Sequence, residues 1–556
     1  MSSSAKFTMK MPNNVILNSN ILPQSKGTKS TFNLSEGLKT AIDFDNLYPV
    51  YWEELSPGDH FEMKVNSVCR LMPTVAPIMD NIRLKYFAFW IPNRLLWKHF
   101  LNFMGEKTWQ DDKNDYLVPQ LNMKVVENKA ESLADYLGVP PTGTTADFSV
   151  SALPFRAYNK VWNDWFRASE IQEPLKEYTG DNLVTDKAED KDTLATYKIL
   201  KKGKPLDYFT SCLPYPQSGD PVMIPLTGNA NVYTSKNDIP TVLNVSMNEG
   251  VGPVGAYRLA TGGSGGVGAR DTIYGIPDVG VPLPTIEQNS SVFTNLYADM
   301  SKVTGITIEQ LRNASALQVL LERDARAGER YPELVKMHYG VTCPDFLLGR
   351  SQFLGSCTSD IVVNPIAQNS STNDITPQGN LVGVGVGQES SKLCEVSAVE
   401  HGIFMVLACV TGDVTYQQGV YRKFNKLSRF DYMNPAFWNL GDQAVLNKEI
   451  YVGPDKATNE AVFGYQERYR ELREGISKIT GKMRSADQGS LDVWHLSEKF
   501  ANLPKLNAQF IENNTPIART LAVKDEPDVI LDIWFDIKAT RPLPVSSNPS
   551  LLAGRI

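Results

Sequence analysis

Two stretches in the second half of the chain decide its fold: HGIFMVLACVTGDVTYQQG at His401–Gly419 and DVILDIWFDIKATRPLP at Asp528–Pro544. Both are rich in β-branched and aromatic residues, so they predict long core strands. Phe61–Met72 and Ile82–Ile91 have a similar composition and predict two more strands, joined by the loop Thr74–Asn81. Strands near both ends of a long chain, separated by hundreds of loop-rich residues, favour one antiparallel barrel or sandwich with large insertions.

The sequence IRLKYFAFWI at Ile82–Ile91 also predicts its surroundings. It alternates at first and then becomes apolar on both faces, as expected for a strand that is covered on both sides. Helical patterns are few and short, and we expect these helices to decorate the β fold rather than organise it. They are RLLWKHFLNFM from Arg94, AYNKVWNDWFR from Ala157, a helix from the Thr307–Gln310 capping box to Gly328, and a helix from Pro332 to Gly340.

The composition excludes several classes of protein. With 39 Gly and 34 Pro among 556 residues, a helical bundle is disfavoured, and a net charge of −7 excludes a surface that is basic all over. The six cysteines contain no C-x-x-C pair, so they predict reduced thiols of a cytoplasm rather than a zinc ribbon or a disulfide framework. No apolar leader is evident at the N-terminus, and the most apolar stretch, Ile403–Val410, is too short for a membrane helix.

Two insertions differ from their surroundings. Residues 227–300 contain 11 Gly and 5 Pro in 74 positions, centred on TGGSGGVGAR, and predict a surface insertion with short strands of its own at NVYTS and TVLNVSM. Residues 172–205 carry alternating charges (KAEDKDT) and predict a solvated loop. The glycine-rich centre matches both G-x-G-x-x-G and G-x-S-x-G, and this overlap of two unrelated motifs indicates chance.

Candidate nucleic-acid contacts lie in two places. The run Tyr421–Phe430, YRKFNKLSRF, interleaves cations with aromatic residues, a combination that single-strand binding uses because cations follow phosphates and aromatic faces stack on bases. A packed face with exposed cations explains the run equally well, and the cationic stretch 468–484 has the same ambiguity. The first 35 residues form a basic arm without an acidic residue. The candidate DNA contacts are Lys6, Lys10, Arg422, Lys423, Phe424, Lys426 and Arg429.

Ordered segments along nearly the whole chain resemble the major capsid protein of the Microviridae, specifically its gokushovirus branch of small single-stranded DNA phages. The matching segments include PGDHFEMKV from Pro57, APIMDNIRL from Ala76, ALPFRAYNKVWNDWFR from Ala152, DYFTSCLPYPQSGD from Asp207, LLERDARAGERY from Leu320, QAVLNKEIY from Gln443 and LDVWHLS from Leu491. So many ordered matches are far more specific than any single motif.

The resemblance implies a mainly β protein: an eight-stranded antiparallel jelly roll with long loop insertions. It also implies a T=1 icosahedral shell of 60 copies around a circular single-stranded DNA genome. The 227–300 insertion corresponds to a protrusion at the three-fold axes and to a host-attachment element, with candidate residues Tyr257, Arg258, Gly263, Gly265 and Arg270. The implied partners are a small basic DNA-packaging protein, a pilot protein, an internal scaffolding protein and a bacterial surface receptor. The chain would be assembled in the host cytoplasm and reside in the virion.

These observations divide the chain into a basic arm at 1–35, the first part of the jelly roll at 36–226, the surface insertion at 227–300 and the remainder of the jelly roll at 301–556. No cofactor or catalytic residue is predicted, and scattered carboxylates allow a structural divalent cation without locating one. The alternative is an all-β carbohydrate-active enzyme or carbohydrate-binding protein. Its carboxylates would come from pairs such as Glu53/Glu54 and Glu322/Asp324.

Overall fold

A computed structural model describes most of the chain. It covers residues 29–223 and 307–545, apart from gaps at 108, 110–114, 184–185, 188–189, 329, 343, 345–348, 368, 370–371 and 373–378, together with four short strands between 231 and 299. Lys6 and Lys10 of the predicted basic arm lie outside the described residues.

The described part contains more strand than helix. Its strands are β1 Ser30–Asn33, β2 Glu36–Ile42, β3 Asn46–Leu55, β4 His60–Leu71, β5 Ile82–Pro92, β6 Gln120–Asn122, β7 Ser149–Ser151, β8 Leu200–Lys201, β9 Asn231–Thr234, β10 Val242–Leu243, β11 Tyr257–Arg258, β12 Leu296–Asp299, β13 Gln352–Ala367, β14 Leu381–Ser397, β15 Gly402–Gly412, β16 Asp442–Leu446, β17 Val462–Glu467 and β18 Val529–Arg541. Its α-helices are α1 Asn93–Leu96, α2 Phe100–Phe103, α3 Leu133–Tyr136, α4 Leu153–Val161, α5 Ile308–Ala327, α6 Tyr331–Tyr339, α7 Asn447–Ile450, α8 Lys456–Glu460 and α9 Ala508–Ile511.

Eight of these strands form a jelly roll. One four-stranded sheet has the order β2-β18-β4-β14 and the other has the order β3-β15-β5-β13, with every pair antiparallel. In chain order successive strands change sheet at every step except from β5 to β13, which lie side by side in one sheet, and this is the strand order of a jelly roll. The prediction of a mainly β, eight-stranded antiparallel jelly roll is confirmed.

The hairpin β13–β14 joins the two sheets. Its distal halves pair with each other over Ile361–Ala367 and Leu381–Gly387, whereas its basal halves separate, β13 pairing with β5 and β14 with β4. Alternate glycines allow the hairpin to lie close to β4. A Cβ atom at Gly385 would stand 2.7 Å from the Cβ of Leu71, and one at Gly387 would stand 2.6 Å from the Sγ of Cys69.

The main core lies between the two sheets. The rings of Phe61 on β4 and Phe404 on β15 have centroids 5.1 Å apart, and those of Tyr51 on β3 and Phe535 on β18 are 5.2 Å apart. These four side chains are buried and join a continuous apolar cluster with residues from all eight strands. Burial of this surface is the main favourable term in folding.

A second core covers the outer face of the β3-β15-β5-β13 sheet. All eleven residues of β15 are buried, because α4, the turn around Trp97 and the segment 194–200 pack on the side facing away from the first core. The hydroxyl of Tyr158 on α4 donates a hydrogen bond to the carbonyl of Leu47, 2.8 Å away. The expectation that Ile82–Ile91 passes under other structure is confirmed.

The insertion at 172–205 contributes to this second core. Asp192 accepts two hydrogen bonds of 2.9 Å from the guanidinium of Arg156, and neither side chain is more than 2% exposed. Tyr197 is also buried and donates its hydroxyl proton to Asp192 at 2.5 Å. The prediction of a solvated loop is therefore wrong at these positions.

Other local predictions are confirmed with changed boundaries or connections. The Thr307–Gln310 capping box precedes α5, and Gly340 ends α6 with a left-handed φ of 68°. The predicted strand at 401–419 ends at Gly412. β4 and β5 follow each other in the chain but do not pair, because they belong to different sheets.

Residues 219–321 form a compact unit of their own. Within it β9 pairs with β12 and β10 pairs with β11, so the strands predicted at NVYTS and TVLNVSM are present. Tyr257 and Arg258 lie on β11, whereas Gly263, Gly265 and Arg270 lie outside the described residues. No described helix is long and apolar enough to cross a bilayer.

Candidate nucleic-acid interface

The run singled out in the sequence lies in the connection between β15 and β16. We call residues 421–432 the basic loop. Hydrogen bonds from Arg422 join the loop to β16 and α7. Val445 on β16 and Ile450 on α7 belong to a third apolar cluster, which also contains Tyr208 and Phe510. The loop is therefore attached to packed elements, and short 3₁₀ turns at Arg422–Phe424 and Arg429–Asp431 occur within it.

Asp431 closes the outer part of the basic loop. Its Oδ2 atom accepts hydrogen bonds from the backbone amides of Leu427 at 3.0 Å and Ser428 at 2.7 Å, and from the Ser428 hydroxyl at 3.0 Å. These bonds, first of all the one from the Ser428 amide, lower the pKa of Asp431. The carboxylate is thus used to fix the backbone between the cations.

Arg422 points towards the base of the loop. Its Nη1 atom donates to the carbonyl of Ala444 at 2.8 Å and to Glu449 Oε1 at 3.0 Å, and Glu471 Oε1 is 4.0 Å from its Nε. Both glutamates are buried, and Glu449 also accepts a hydrogen bond from the Tyr208 hydroxyl at 2.8 Å. Burial raises the pKa of Glu449, and the Arg422 charge opposes that rise. Contact between Arg422 and DNA stays a prediction, while its observed partners are within the chain.

The other candidate residues of the loop point outwards. The side chain of Phe424 is 79% exposed. Lys423 Nζ lies 5.0 Å from the centre of the Tyr421 ring, and Lys426 Nζ lies 4.6 Å from that of Tyr432. The Arg429 guanidinium carbon lies 4.8 Å from the Phe430 ring. Within the part of the chain that the structure describes, Lys423, Lys426 and Arg429 form no salt bridge, so their charges are available to an outside partner.

The structure adds Lys478 to this surface. Its Nζ atom lies 5.0 Å from the Tyr421 ring, so Tyr421 stands near two ammonium groups, those of Lys423 and Lys478. The sequence indicated a second cationic stretch at 468–484 but not which of its members meets the basic loop. Two other cations of this stretch have partners within the chain: Arg470 pairs with Glu474 at 2.8 Å, and Arg484 donates a hydrogen bond to the carbonyl of Gln417 at 2.8 Å. Sequence spacing could not distinguish these cations from Lys478, because the distinction depends on where their partners fold.

The basic loop and its continuation also expose apolar side chains. Leu427 is 93% exposed, and more than half of each of Phe430, Tyr432, Met433 and Trp438 is exposed. Several large exposed apolar side chains within one short segment favour an interaction site. Aromatic members can stack on bases, whereas Leu427 and Met433 cannot.

The described residues also bear on a metal site and on the carboxylate pairs named in the sequence. They contain no group of three His, Cys, Asp or Glu side chains that could hold a metal ion. In the nominal carboxylate pairs, Glu53 binds Arg541 at 2.7 Å and Asp324 binds His338 at 2.6 Å. Glu53 thus forms an ion pair with Arg541, and Asp324 forms a hydrogen bond with His338.

Comparison with known proteins adds the identity of the family. The model of the family described as capsid protein (F protein) matches residues 20–551. The chain belongs to this phage capsid protein family. Its jelly roll and its long insertions are thus those of a structural protein of a Microviridae virion, which assembles with copies of itself and is not an enzyme.

Three relatives have nearly the same length. The capsid protein VP1 of Chlamydia phage 1 is 39% identical, with 95% of this chain and 97% of the relative covered. That of Bdellovibrio phage phiMH2K is 38% identical, with 95% and 96% covered. That of Spiroplasma virus 4 is 34% identical, with 92% and 93% covered. The resemblance found in the sequence to the Microviridae capsid protein is confirmed.

Proposed function

We propose that the chain is the subunit of a T=1 shell of 60 copies that encloses a circular single-stranded DNA genome. The observation that carries this proposal is the jelly-roll strand order in a chain that matches the phage capsid family over residues 20–551. Electron microscopy of the purified material tests it: closed particles with this chain as the dominant protein are expected. A monomer or small oligomer under all assembly conditions would contradict it.

The basic loop is our candidate for contact with the packaged DNA. Lys423, Lys426 and Arg429 present three charges without a carboxylate partner in the described part of the chain, and aromatic rings lie beside each of them. Such a surface follows phosphates and stacks bases without reading sequence. The net charge of −7 means that the chain cannot neutralise a genome by itself. A small basic packaging protein is therefore a needed partner, beside a pilot protein and an internal scaffolding protein.

Removal of these charges tests the contact. Particles of the triple variant Lys423→Ala, Lys426→Ala, Arg429→Ala should hold less DNA or release it at lower salt. Each lost phosphate contact lowers the salt slope of binding by roughly 0.7 for a single strand. The matched control removes the charge of Lys456, whose side chain is 87% exposed on α8. Unchanged DNA content and salt sensitivity in the triple variant would exclude the loop from the DNA surface.

A neighbouring copy is a second candidate partner for the same loop. The exposure of Leu427 at 93%, together with that of Met433 at 56%, favours this reading because aliphatic side chains do not stack on bases. Leu427→Ser and Met433→Ser should then reduce the yield of particles while the DNA per particle stays unchanged. An unchanged yield of particles with a lower DNA content would show that the loop contacts DNA and not a neighbouring copy.

The insertion at 227–300 is our candidate for attachment to a bacterial surface receptor. All eight jelly-roll strands lie outside the compact unit 219–321, which supports the idea that this unit is dispensable for the shell. Replacement of residues 229–289 by a short linker should leave particles that no longer adsorb to the host. Tyr257→Ala and Arg258→Ala test single candidates on β11. Normal adsorption of the deletion particles would contradict the proposed role.

Assembly in the host cytoplasm agrees with the cysteines. All five cysteines in the described residues are free thiols, four of them buried. Such thiols need no oxidising compartment.

A further inference from the structure

The two sheets of the jelly roll differ in what covers their outer faces. The outer face of the β3-β15-β5-β13 sheet carries the second core, whereas the outward side chains of β4 and β18 are all exposed or partly exposed. We propose that the outer face of the β2-β18-β4-β14 sheet, extended by the distal part of the β13–β14 hairpin, is buried against a second copy of the chain. This rests on the proposed assembly of the chain into a shell.

Strand register places the relevant side chains on one face. Val362 on β13 lies opposite Val386 on β14, which lies opposite Arg70 on β4, which in turn lies opposite Ile530 on β18. Residues directly opposite each other share a face, and so do residues two positions apart along a strand. Val382 and Val384, which lie opposite Ile366 and Asn364, therefore continue the row along the hairpin.

The opposite face of the hairpin carries the glycines. Gly383, Gly385 and Gly387 lie opposite Pro365, Val363 and Ile361 and point towards the barrel. The alternation of Val with Gly on β14 thus puts every β-branched side chain of residues 382–387 on the side that faces away from the core. Because these valines are not fully buried by any of the described residues, an outside partner would give their apolar side chains a packing role.

The exposed apolar area is large for a free subunit. Six apolar side chains of this face are each between 37% and 58% exposed: Val68, Val362, Ile366, Val382, Ile530 and Trp534. Together they leave on the order of 500 Å² of apolar surface in water, in the upper part of the roughly 300–600 Å² of the largest apolar patch on a typical monomer, which is often functional. A standard interface buries roughly 800 Å² on each partner. The patch therefore suffices as the apolar centre of one subunit contact.

Charges on the same face are nearly balanced, which favours a protein partner over DNA. Lys39 lies opposite Asp532 and Lys64 lies opposite Asp536. Towards the base of the sheet, Lys392 Nζ bridges Glu62 at 3.2 Å and Glu395 at 2.6 Å. An apolar centre beside a charged, hydrated border is the usual arrangement of a protein interface, whereas a nucleic-acid surface has an excess of cations. In a shell of identical subunits that protein is a second copy.

Site-specific cross-linking in purified particles tests this inference. The variant Val362→Cys carries a benzophenone maleimide attached before assembly, and illumination of DNA-free particles should give a product of twice the chain mass. The thiol of Val362→Cys should also react with a small maleimide at least ten times more slowly in DNA-free particles than in the unassembled chain. Val126→Cys is the matched control, because Val126 is 74% exposed in a turn away from both sheets.

Each other outcome overturns the inference. Equal labelling of Val362→Cys in particles and in the unassembled chain would show a bare face, and protection only in DNA-filled particles would show that DNA covers it. A cross-link to a different viral protein would name another occupant. If Val362→Cys does not fold, the double variant Val362→Thr, Ile366→Thr, which keeps β-branched side chains, replaces it and should lower particle yield several-fold. Failure of the unaltered chain to form particles would instead contradict the proposed function.

Discussion

The contacts of Arg422 with Glu449 and Ala444 predict that this residue stabilises the basic loop. Arg422→Met removes the only cation within 4.0 Å of Glu449 and Glu471 among the described residues, and each of these glutamates is only 2% exposed at its side chain. Loss of one partner of a buried ion pair costs about 3–5 kcal/mol because an uncompensated charge stays buried. Arg422 itself is 24% exposed, so we expect the lower end, about 3 kcal/mol.

The pH dependence of this loss follows from Glu449. Burial raises its pKa, and removal of the Arg422 charge raises it further. A group whose pKa is raised on folding can take up a proton and become neutral as the pH falls through that value. The destabilisation by Arg422→Met should therefore be largest near pH 8 and smaller near pH 5.5. Urea unfolding of the unassembled chain, followed by tryptophan fluorescence, measures the free energy of unfolding at both pH values.

Neighbouring substitutions provide the controls. Lys423→Met removes an exposed charge one residue away and should change the free energy of unfolding by no more than about 0.5 kcal/mol. Glu449→Gln combined with Arg422→Met should cost less than the sum of the two single variants, because the pair is coupled. Equal effects of Arg422→Met and Lys423→Met would refute the anchoring role. In that case Arg422 would return to the set of candidate DNA contacts.

Three further predictions concern the supporting structure. Gly385→Val should destabilise the chain by about 2–3 kcal/mol in urea unfolding, because its Cβ would stand 2.7 Å from a β4 side-chain carbon, while Gly475→Ala, with open space around it, should be nearly neutral. Burial raises the pKa of Asp192, but the bonds from Arg156 outweigh it and hold the pKa below its ordinary value of 3.8. The Asp192–Arg156 pair therefore stabilises the folded chain fully above pH 3.8, and this stabilisation is lost as the pH falls through the lower pKa of the folded state. Asp192→Asn should reduce the dependence of the unfolding free energy on pH in the acid range. Burial raises the pKa of Cys409 to about 12, so alkylation at pH 8, followed by mass spectrometry, should modify this thiol only in unfolded chain; rapid native labelling would contradict the buried position.

The strands that the sequence predicted well are those whose composition reflects local burial. Val529–Arg541 alternates between buried and exposed residues along its whole length, and His60–Leu71 does the same. The capping box before α5 is equally local, since its two hydrogen bonds join residues three positions apart. For such elements, the interactions that stabilise the structure lie within the same few residues as the sequence pattern that predicts it.

The hairpin β13–β14 was not predicted from the sequence, because glycines are unusual in the interior of a strand. Gly383, Gly385 and Gly387 lower the β propensity of the strand, and the need for them becomes visible only when β4 and the loop that follows it lie beside them. The pairing of β5 with β13 and β15 could not be predicted either, because these partners are about 270 and 320 positions away. Long-range pairing depends on the whole set of strands rather than on any one of them.

For the candidate DNA surface too, one part could be predicted from the sequence and another part could not. The run 421–430 was identified from its composition, but composition treats its four cations alike. The structure separates them, since Arg422 meets buried carboxylates contributed by Glu449 and Glu471, and Lys478 joins from a segment that the sequence left undistinguished. Which cation remains available depends on where the carboxylates fold, and only tertiary structure gives that information.

The unequal cover of the two sheets links the fold to assembly. The insertion between β5 and β13 buries the outer side of β15 within the same chain, so substitutions there act on folding. The outward residues of β18, among them Ile530 and Trp534, have no such cover among the described residues. Exposure of their apolar surface to water is unfavourable, and in our proposal a second copy buries it. A jelly roll with one covered and one open sheet buries one apolar face within the chain and leaves the other for association. The open face is apolar at its hairpin end and charged at its base, so the free energy gained on association depends on the orientation of the partner. A closed shell of identical copies requires one defined orientation.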